Sequence, residues 1–152
     1  MNQDFLDLIS AFNAAEVQYL VVGAYAVGVH GHPRATKDLD IWIEASPENA
    51  GRVMNALGTF GAPLGELEAR DFETAGTGFM MGNPPRRIDV LTQIDGVRFD
   101  DVAARAIEAS FDGVPTRVIG LEDLLVNKRA AGRLQDLADV RALERLRRLI
   151  SR

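Results

Sequence analysis

The apolar run Asp38-Leu39-Asp40-Ile41-Trp42-Ile43 begins with two carboxylates. Leucine and isoleucine interleave with these carboxylates, a pattern that predicts a β-strand buried on one face. Successive side chains of a strand alternate between faces, so we expect Asp38 and Asp40 on one side, about 6 to 7 Å apart along the chain. Two carboxylates at that spacing suit a divalent cation.

A second short run, Ile88-Asp89-Val90-Leu91, carries one more carboxylate in the same kind of setting. If its strand lies beside the first one, three carboxylates meet at one spot. Such a cluster is tolerated only when a metal or protons neutralise its charge. The two runs together predict a metal site made of Asp38, Asp40 and Asp89.

The N-terminal third of the chain shows alternating helix and strand signals. Phe5, Leu8, Ile9 and Phe12 follow the i, i+3, i+4, i+7 spacing of an amphipathic helix. Ser46 before a proline is typical of a helix N-terminus. The predicted elements are a helix over 3–15, a strand over 19–22, a short helix over 24–30, the strand from Asp38 and a helix over 47–57.

The middle of the chain is rich in glycine and proline, so most of 58–86 is predicted as loop, with weak strand character at 78–81. Beyond it, leucines at helical spacing indicate two C-terminal helices. The predicted elements are a strand over 87–92, a turn over 94–96, a short helix over 100–109, a strand over 115–119 and helices over 121–131 and 135–150.

The alternation of strands and helices predicts an α/β or α+β fold, a small mixed sheet flanked by helices. The chain has 152 residues, 47% of them apolar and 26% charged, which suits one domain over 1–152 with a real core. The helices at about 121–150 are expected to pack on that domain as a pair.

Composition limits the possible partners and locations of the protein. The chain has no cysteine, which excludes a disulfide framework and a thiolate metal site. No apolar stretch reaches the length of a membrane span or a signal-peptide core, so we expect a cytoplasmic protein without a membrane partner. The net charge of −5 argues against general coating of nucleic acid, although one RNA could still dock on a local basic patch.

The run Val21-Val22-Gly23-Ala24, followed after thirteen residues by Asp38-Leu39-Asp40-Ile41, resembles the signature of the nucleotidyltransferase superfamily. That signature is an apolar residue, Gly-Gly or Gly-Ser, a spacer, and then two acidic residues separated by one. The resemblance covers nearly the whole chain and is to small bacterial members related to minimal nucleotidyltransferases and abortive-infection-type toxins. Its further segments are 23–27, 30–40, 85–91, 127–129 and 133–139.

This resemblance implies a fold in which a helix precedes the first strand and both lie beside the strand with the two aspartates. It implies transfer of a nucleoside monophosphate from a nucleoside triphosphate to an acceptor hydroxyl, with Mg²⁺ or Mn²⁺ as cofactor. Such transfer needs positioning and charge neutralisation more than covalent help. Asp38 and Asp40 would bind a metal shared with the triphosphate. Asp89 would complete a second metal site or take the proton of the acceptor.

Five further residues are expected to bind nucleotide or phosphate. Gly23 lets the backbone approach a phosphate closely, and Ala24, where relatives more often have glycine or serine, offers a backbone donor but no hydroxyl. Arg34 and Lys37 flank the aspartates and either meet the triphosphate or pair with the acids. The resemblance places Lys128 near the cleft, in contact with nucleotide or acceptor; the alternative is a solvated helix face.

Several other polar or aromatic residues are interpreted as structural. Trp42 in an apolar strand is expected in the core, and His30 and His32 are expected in loop packing or a polar contact rather than on zinc. Arg86 and Arg87 beside Asp89 have the same two interpretations as Arg34, contact with the triphosphate or pairing with the acid. Exposed ion pairs of little energetic value are predicted for Arg133, Asp136, Asp139 and Arg141.

Two other hypotheses stay open beside the enzyme. The first is a catalytically degenerate binding or regulatory module with a cognate protein partner, as in a toxin–antitoxin pair; Ala24 motivates it. The second is a toxin that modifies RNA ends, for which Arg86, Arg87, Arg129 and Arg133 could form a basic patch. The acceptor hydroxyl could belong to a small molecule, an RNA or a protein.

Overall fold

The fold is described from a computed structural model, in which residues 1–33, 38–83 and 86–150 are described. The helices are α1 (Gln3–Ala14), α2 (Gly23–Val29), α3 (Pro47–Phe60), α4 (Phe99–Ala103), α5 (Leu121–Ala131) and α6 (Leu134–Ile150), with a 3₁₀ turn at Ala69–Phe72. The strands are β1 (Tyr19–Val22), β2 (Asp38–Ile43), β3 (Gly78–Met81), β4 (Arg87–Leu91), β5 (Ile107–Phe111) and β6 (Val114–Val118).

All six strands join one mixed sheet in the order β3-β4-β2-β1-β6-β5. The central strand β2 pairs antiparallel with β1 and parallel with β4. Strand β1 also pairs parallel with β6. The two edge strands are β3, which pairs antiparallel with β4, and β5, which pairs antiparallel with β6. The predicted α/β fold with a mixed sheet and flanking helices is confirmed.

The core forms where helices cover the sheet. Phe5, Leu8, Ile9 and Phe12 of α1 are fully buried, as their spacing predicts. Each such side chain contributes about 1.5–3 kcal/mol by leaving water. Helices α1 and α3 contact each other beside the sheet, and α5 packs against α6 as the predicted C-terminal pair.

Local capping residues set the ends of the helices. The Asn2 side chain caps the N-terminus of α1, because it accepts a hydrogen bond from the backbone N–H of Phe5 at 3.0 Å. Ser46 does the same for Asn49 at 3.2 Å and begins α3, with Pro47 in the first turn. Helix α3 ends at Phe60, three residues beyond the predicted end, and is capped by Gly61, whose φ of 89° is left-handed.

The predicted helix over 100–109 is wrong in its second half. Helix α4 ends at Ala103, and residues 107–111 form strand β5. The Asp112-Gly113 turn explains this, because both residues have positive φ, 48° and 86°, as a two-residue hairpin turn requires. This turn brings β5 back along β6. No helix within the described ranges is long and apolar enough to cross a membrane.

Candidate active site

The two carboxylate strands lie side by side, which is the condition that the predicted carboxylate cluster requires. In the parallel pair β2 and β4, Asp40 is the register partner of Asp89, and Asp38 is the partner of Arg87. Leu39 and Ile41 are fully buried, whereas Asp38 and Asp40 are partly exposed, so the two aspartates share the other side of the strand. The sheet therefore holds Asp40 and Asp89 directly opposite one another.

Gly23 is required by the approach of the Asp40 side chain. The end of β1 pairs with β2, with Val22 opposite Asp40, and Gly23 then opens α2 with a φ of 66°. A Cβ at position 23 would collide with the Asp40 carboxylate. Glycine is thus needed both for its conformation and for its missing side chain. Ala24 follows as the second residue of α2, a helix of seven residues.

These groups face a cleft of about 410 Å³, which we name the carboxylate cleft. Its volume is within the range of small-molecule sites. One wall comes from the sheet and the following loop, and the other comes from α5 and the start of α6. The described lining residues are Val22, Gly23, Asp40, Asp89, Leu91, Gln93, Ile94, Asp95, Asn127, Lys128, Ala131, Arg133 and Asp136.

The pKa of Asp40 is strongly perturbed. Burial away from water, followed by the charge of Asp89 and a hydrogen bond with its side chain, raises the pKa of Asp40 to about 7. The Asp38 charge raises it further, whereas the Lys128 cation lowers it. Strong perturbation of a carboxylate in a cleft is typical of functional sites. A proton or a cation beside Asp40 would relieve this electrostatic cost.

Arg87 forms an ion pair with Asp89. Its Nε donates to Asp89 Oδ1 at 3.0 Å, and the two side chains are 35% and 15% exposed. The Asp89 side chain holds the pKa of the Arg87 guanidinium above its usual value. The sequence left open whether Arg87 meets the triphosphate or pairs with an acid. In the structure it pairs with Asp89, a candidate catalytic carboxylate.

Lys128 lies on the cleft wall but does not form a solvated helix face. Its side chain is 6% exposed, and Nζ lies 3.1 Å from both Asp136 Oδ1 and Asp139 Oδ2. The prediction that Asp136 and Asp139 form exposed ion pairs is wrong, because both are buried. Helix α6 folds back on α5 and so encloses the three charges.

Arg133 completes this charged cluster from the exposed side. Its backbone N–H donates to Asp136 Oδ2 at 3.2 Å, and its Nε donates to the same oxygen at 2.7 Å. Burial acts to raise the pKa of Asp136, but hydrogen bonds from Arg133 and Lys128 hold it below its usual value. Asp136 is therefore an anion that fixes two cations beside the cleft.

The donors in the cleft are compatible with magnesium. Within the described residues, no group of three or more histidine, aspartate or glutamate side chains is placed to hold a metal ion. Magnesium in nucleotide sites typically uses one or two carboxylates, with phosphates and water as its other ligands. Asp40 and Asp89 supply oxygen ligands of that kind. The three-carboxylate metal site with Asp38 stays a prediction.

The remaining predicted residues have separate outcomes. Arg34 and Lys37 lie outside the described residues. His30 Nε2 lies 2.7 Å from the backbone oxygen of Ile119, a polar contact of the kind predicted. Trp42 is 2% exposed and its ring packs edge-on against Phe99 with centroids 5.1 Å apart, so its predicted core position is confirmed.

The sequence did not indicate two polar residues of the cleft wall, Gln93 and Asp95, whereas Asn127 belongs to the resembling segment 127–129. Asn127 Nδ2 donates to the backbone oxygen of Asp95 at 2.9 Å and ties the loop after β4 to α5. For Gln93 and Asp95, the available signal was their position directly after β4, because loops that follow central strands often carry binding residues. Their types alone carried no pattern.

The comparisons with known proteins add no family. No protein-family model matches the chain, and no curated protein matches its sequence.

Proposed function

We propose that the protein is a magnesium-dependent nucleotidyltransferase of the cytoplasm that moves a nucleoside monophosphate from a nucleoside triphosphate to an acceptor hydroxyl. The observation that carries the proposal is the opposed pair Asp40 and Asp89 in the carboxylate cleft. This pair belongs to the segments that resemble nucleotidyltransferases. Burial and the neighbouring Asp89 raise the pKa of Asp40 to about 7, and a bound cation would relieve this electrostatic cost.

Three carboxylates would carry the chemistry. Asp38, Asp40 and Asp89 would hold Mg²⁺, or Mn²⁺, which would neutralise charge on the phosphate oxygens. Asp89 would complete a second metal site or take the proton of the acceptor hydroxyl. The acceptor oxygen forms a bond to the α-phosphorus, the bond between the α-phosphorus and the bridging oxygen breaks, and pyrophosphate leaves.

Cations and backbone groups on the cleft wall would position the triphosphate. Lys128 and Arg133 line the cleft, each fixed by Asp136. Fixed cations cost little reorganisation when phosphate charge shifts. Gly23 lies at the opposite wall and Ala24 follows it in α2. Ala24, Arg34 and Lys37 are assigned to the phosphates from the sequence alone.

Labelled nucleotides test the proposal directly. Incubation of the protein with Mg²⁺, host extract and a triphosphate labelled at the α-phosphate should label one fraction: small molecules, RNA or protein. A γ-label should appear only in pyrophosphate. Asp40→Asn should abolish transfer. Transfer of the γ-label to an acceptor, or equal labelling by Asp40→Asn, would contradict nucleotidyl transfer.

The ion pair between Arg87 and Asp89 supports a second candidate, a catalytically inactive module that binds a cognate protein, for example in a toxin–antitoxin pair. A guanidinium on Asp89 competes with a cation, and Ala24 supplies no hydroxyl. Purification from the native host discriminates between the two. A stoichiometric protein partner together with no nucleotide turnover favours the module, and turnover by the isolated chain favours the enzyme.

A further inference from the structure

A second cavity of about 410 Å³ adjoins the carboxylate cleft, and we name it the aromatic cavity. Trp42 and Phe99 form its apolar wall, and Arg98 and Asp100 lie on its rim. Gln93 lines both this cavity and the carboxylate cleft. The two spaces therefore meet at Gln93.

The strands set the separation between the two spaces. Trp42 follows Asp40 by two residues on the same side of β2, so the aromatic wall begins about 7 Å from the carboxylate along the strand. On the neighbouring strand, Asp89 is followed by Leu91 on the wall of the cleft, and Thr92 begins the wall of the aromatic cavity. If one ligand placed a group in each of the two spaces, only a short linker would be needed between those groups.

The chemistry of the aromatic cavity differs from that of the cleft. In the cleft, Asp89, Lys128 and Arg133 are all held in ion pairs. Around the aromatic cavity, the side chains of Gln93, Arg98 and Asp100 make no hydrogen bond or ion pair with any other described residue. Aromatic rings with available donors and acceptors at the rim suit a flat heterocycle with polar edges.

We propose that the aromatic cavity binds the nucleobase of the triphosphate whose phosphates lie in the carboxylate cleft. This inference rests on the proposed function, because it assigns the two ends of one nucleotide to two adjoining spaces. The ribose then lies beside Gln93. Arg98 and Asp100 contact the polar edge of the base and contribute to base preference.

Trp42 is the one tryptophan of the chain, so its fluorescence reports on this cavity. The ligands are ATP, GTP, CTP, UTP and inorganic tripolyphosphate, each with Mg²⁺, and their affinities are measured by calorimetry. Tripolyphosphate has the phosphates without a base. Ala75→Phe fills the cavity from an exposed position on its wall, and Thr74→Phe adds the same ring at the exposed neighbouring position, which does not line the cavity.

At least one nucleoside triphosphate should change Trp42 fluorescence to saturation and bind tenfold or more tightly than tripolyphosphate. Ala75→Phe should weaken that nucleotide tenfold or more while leaving tripolyphosphate within twofold, and Thr74→Phe should change neither. Arg98→Ala, which removes an exposed side chain, should weaken the nucleotide about threefold. Its thermal melt should match that of the wild type.

Two results would overturn the inference, and they can be told apart. If Ala75→Phe melts like the wild type and binds nucleotide within twofold of it, the base lies elsewhere, and the proposed function survives. If the wild type binds neither tripolyphosphate nor any of the four nucleotides at millimolar concentration, the proposed function fails and this inference fails with it.

Discussion

Asp40 on β2 faces Asp89 on the parallel strand β4, and burial, together with this contact, raises the pKa of Asp40 to about 7. Gly23 lies on one side of this pair, and Lys128, Arg133 and Asp136 lie on the other side of the cleft. Like charges held this close cost free energy of folding. Stability, metal affinity and pH dependence should therefore all respond to changes at this pair.

Asp40→Asn should stabilise the metal-free protein at alkaline pH. A carboxyl group whose folded pKa lies above its unfolded value of 3.8 binds its proton more tightly in the folded state, so stability falls as the pH rises from about 4 through about 7. Asparagine removes this loss. We expect the variant to gain on the order of 2 kcal/mol at pH 8 and little at pH 4. Urea unfolding in EDTA across this range measures the difference.

A difference between Asp40→Asn and the wild type that stays constant from pH 4 to 8 would show that Asp40 is not the titrating group. Addition of Mg²⁺ at pH 8 provides the control within the same experiment. The wild type should then recover stability, because the cation replaces the proton, and the variant should recover less.

Gly23→Ala should disrupt the site, because a Cβ there meets the Asp40 carboxylate and the backbone has a φ of 66°. We expect a loss of about 1–3 kcal/mol in unfolding free energy and a loss of nucleotide binding. Gly51→Ala in the exposed middle of α3, where a Cβ meets nothing within 4 Å, is the matched control. It should gain about 0.5–1 kcal/mol.

Lys128→Met should be strongly destabilising. It leaves the buried Asp136 and Asp139 without their shared cation, at a cost of about 3–5 kcal/mol. Arg147→Met breaks the partly exposed ion pair with Glu122 between the same two helices and should cost less than about 1 kcal/mol. Equal losses in thermal or urea unfolding of the two variants would refute the assignment of Lys128 to a buried cluster.

Arg87→Gln should tighten magnesium binding. The Arg87 guanidinium occupies one oxygen of Asp89 and repels a cation placed there. Because a partly exposed ion pair contributes about 0.5–1 kcal/mol, affinity for Mg²⁺ should rise about two- to fivefold. Titration of the melting temperature with Mg²⁺ measures this, and Arg52→Gln on the exposed face of α3 serves as the control. Weaker binding in Arg87→Gln would mean that the arginine supports the metal site.

The hairpin at β5 shows where sequence reasoning stopped short. The Asp112-Gly113 pair is a strong hairpin signal, yet residues 107–111 carry so little alternation that the sequence predicts a helix over 100–109. Strand β5 lies at the sheet edge, where burial is low and the hydrophobic period is weak. Its strand structure comes from pairing with β6, a non-local contact.

By itself, the sequence determined the α/β class, the central strands and the side of β2 that carries Asp38 and Asp40, because strand periodicity and capping residues act locally. Tertiary structure alone decided that Asp40 opposes Asp89, that Arg87 pairs with Asp89 and that Lys128 is buried between Asp136 and Asp139. These relationships depend on strand order and on the return of α6 along α5. Contacts between distant segments form only when the whole core packs, so no local pattern specifies them.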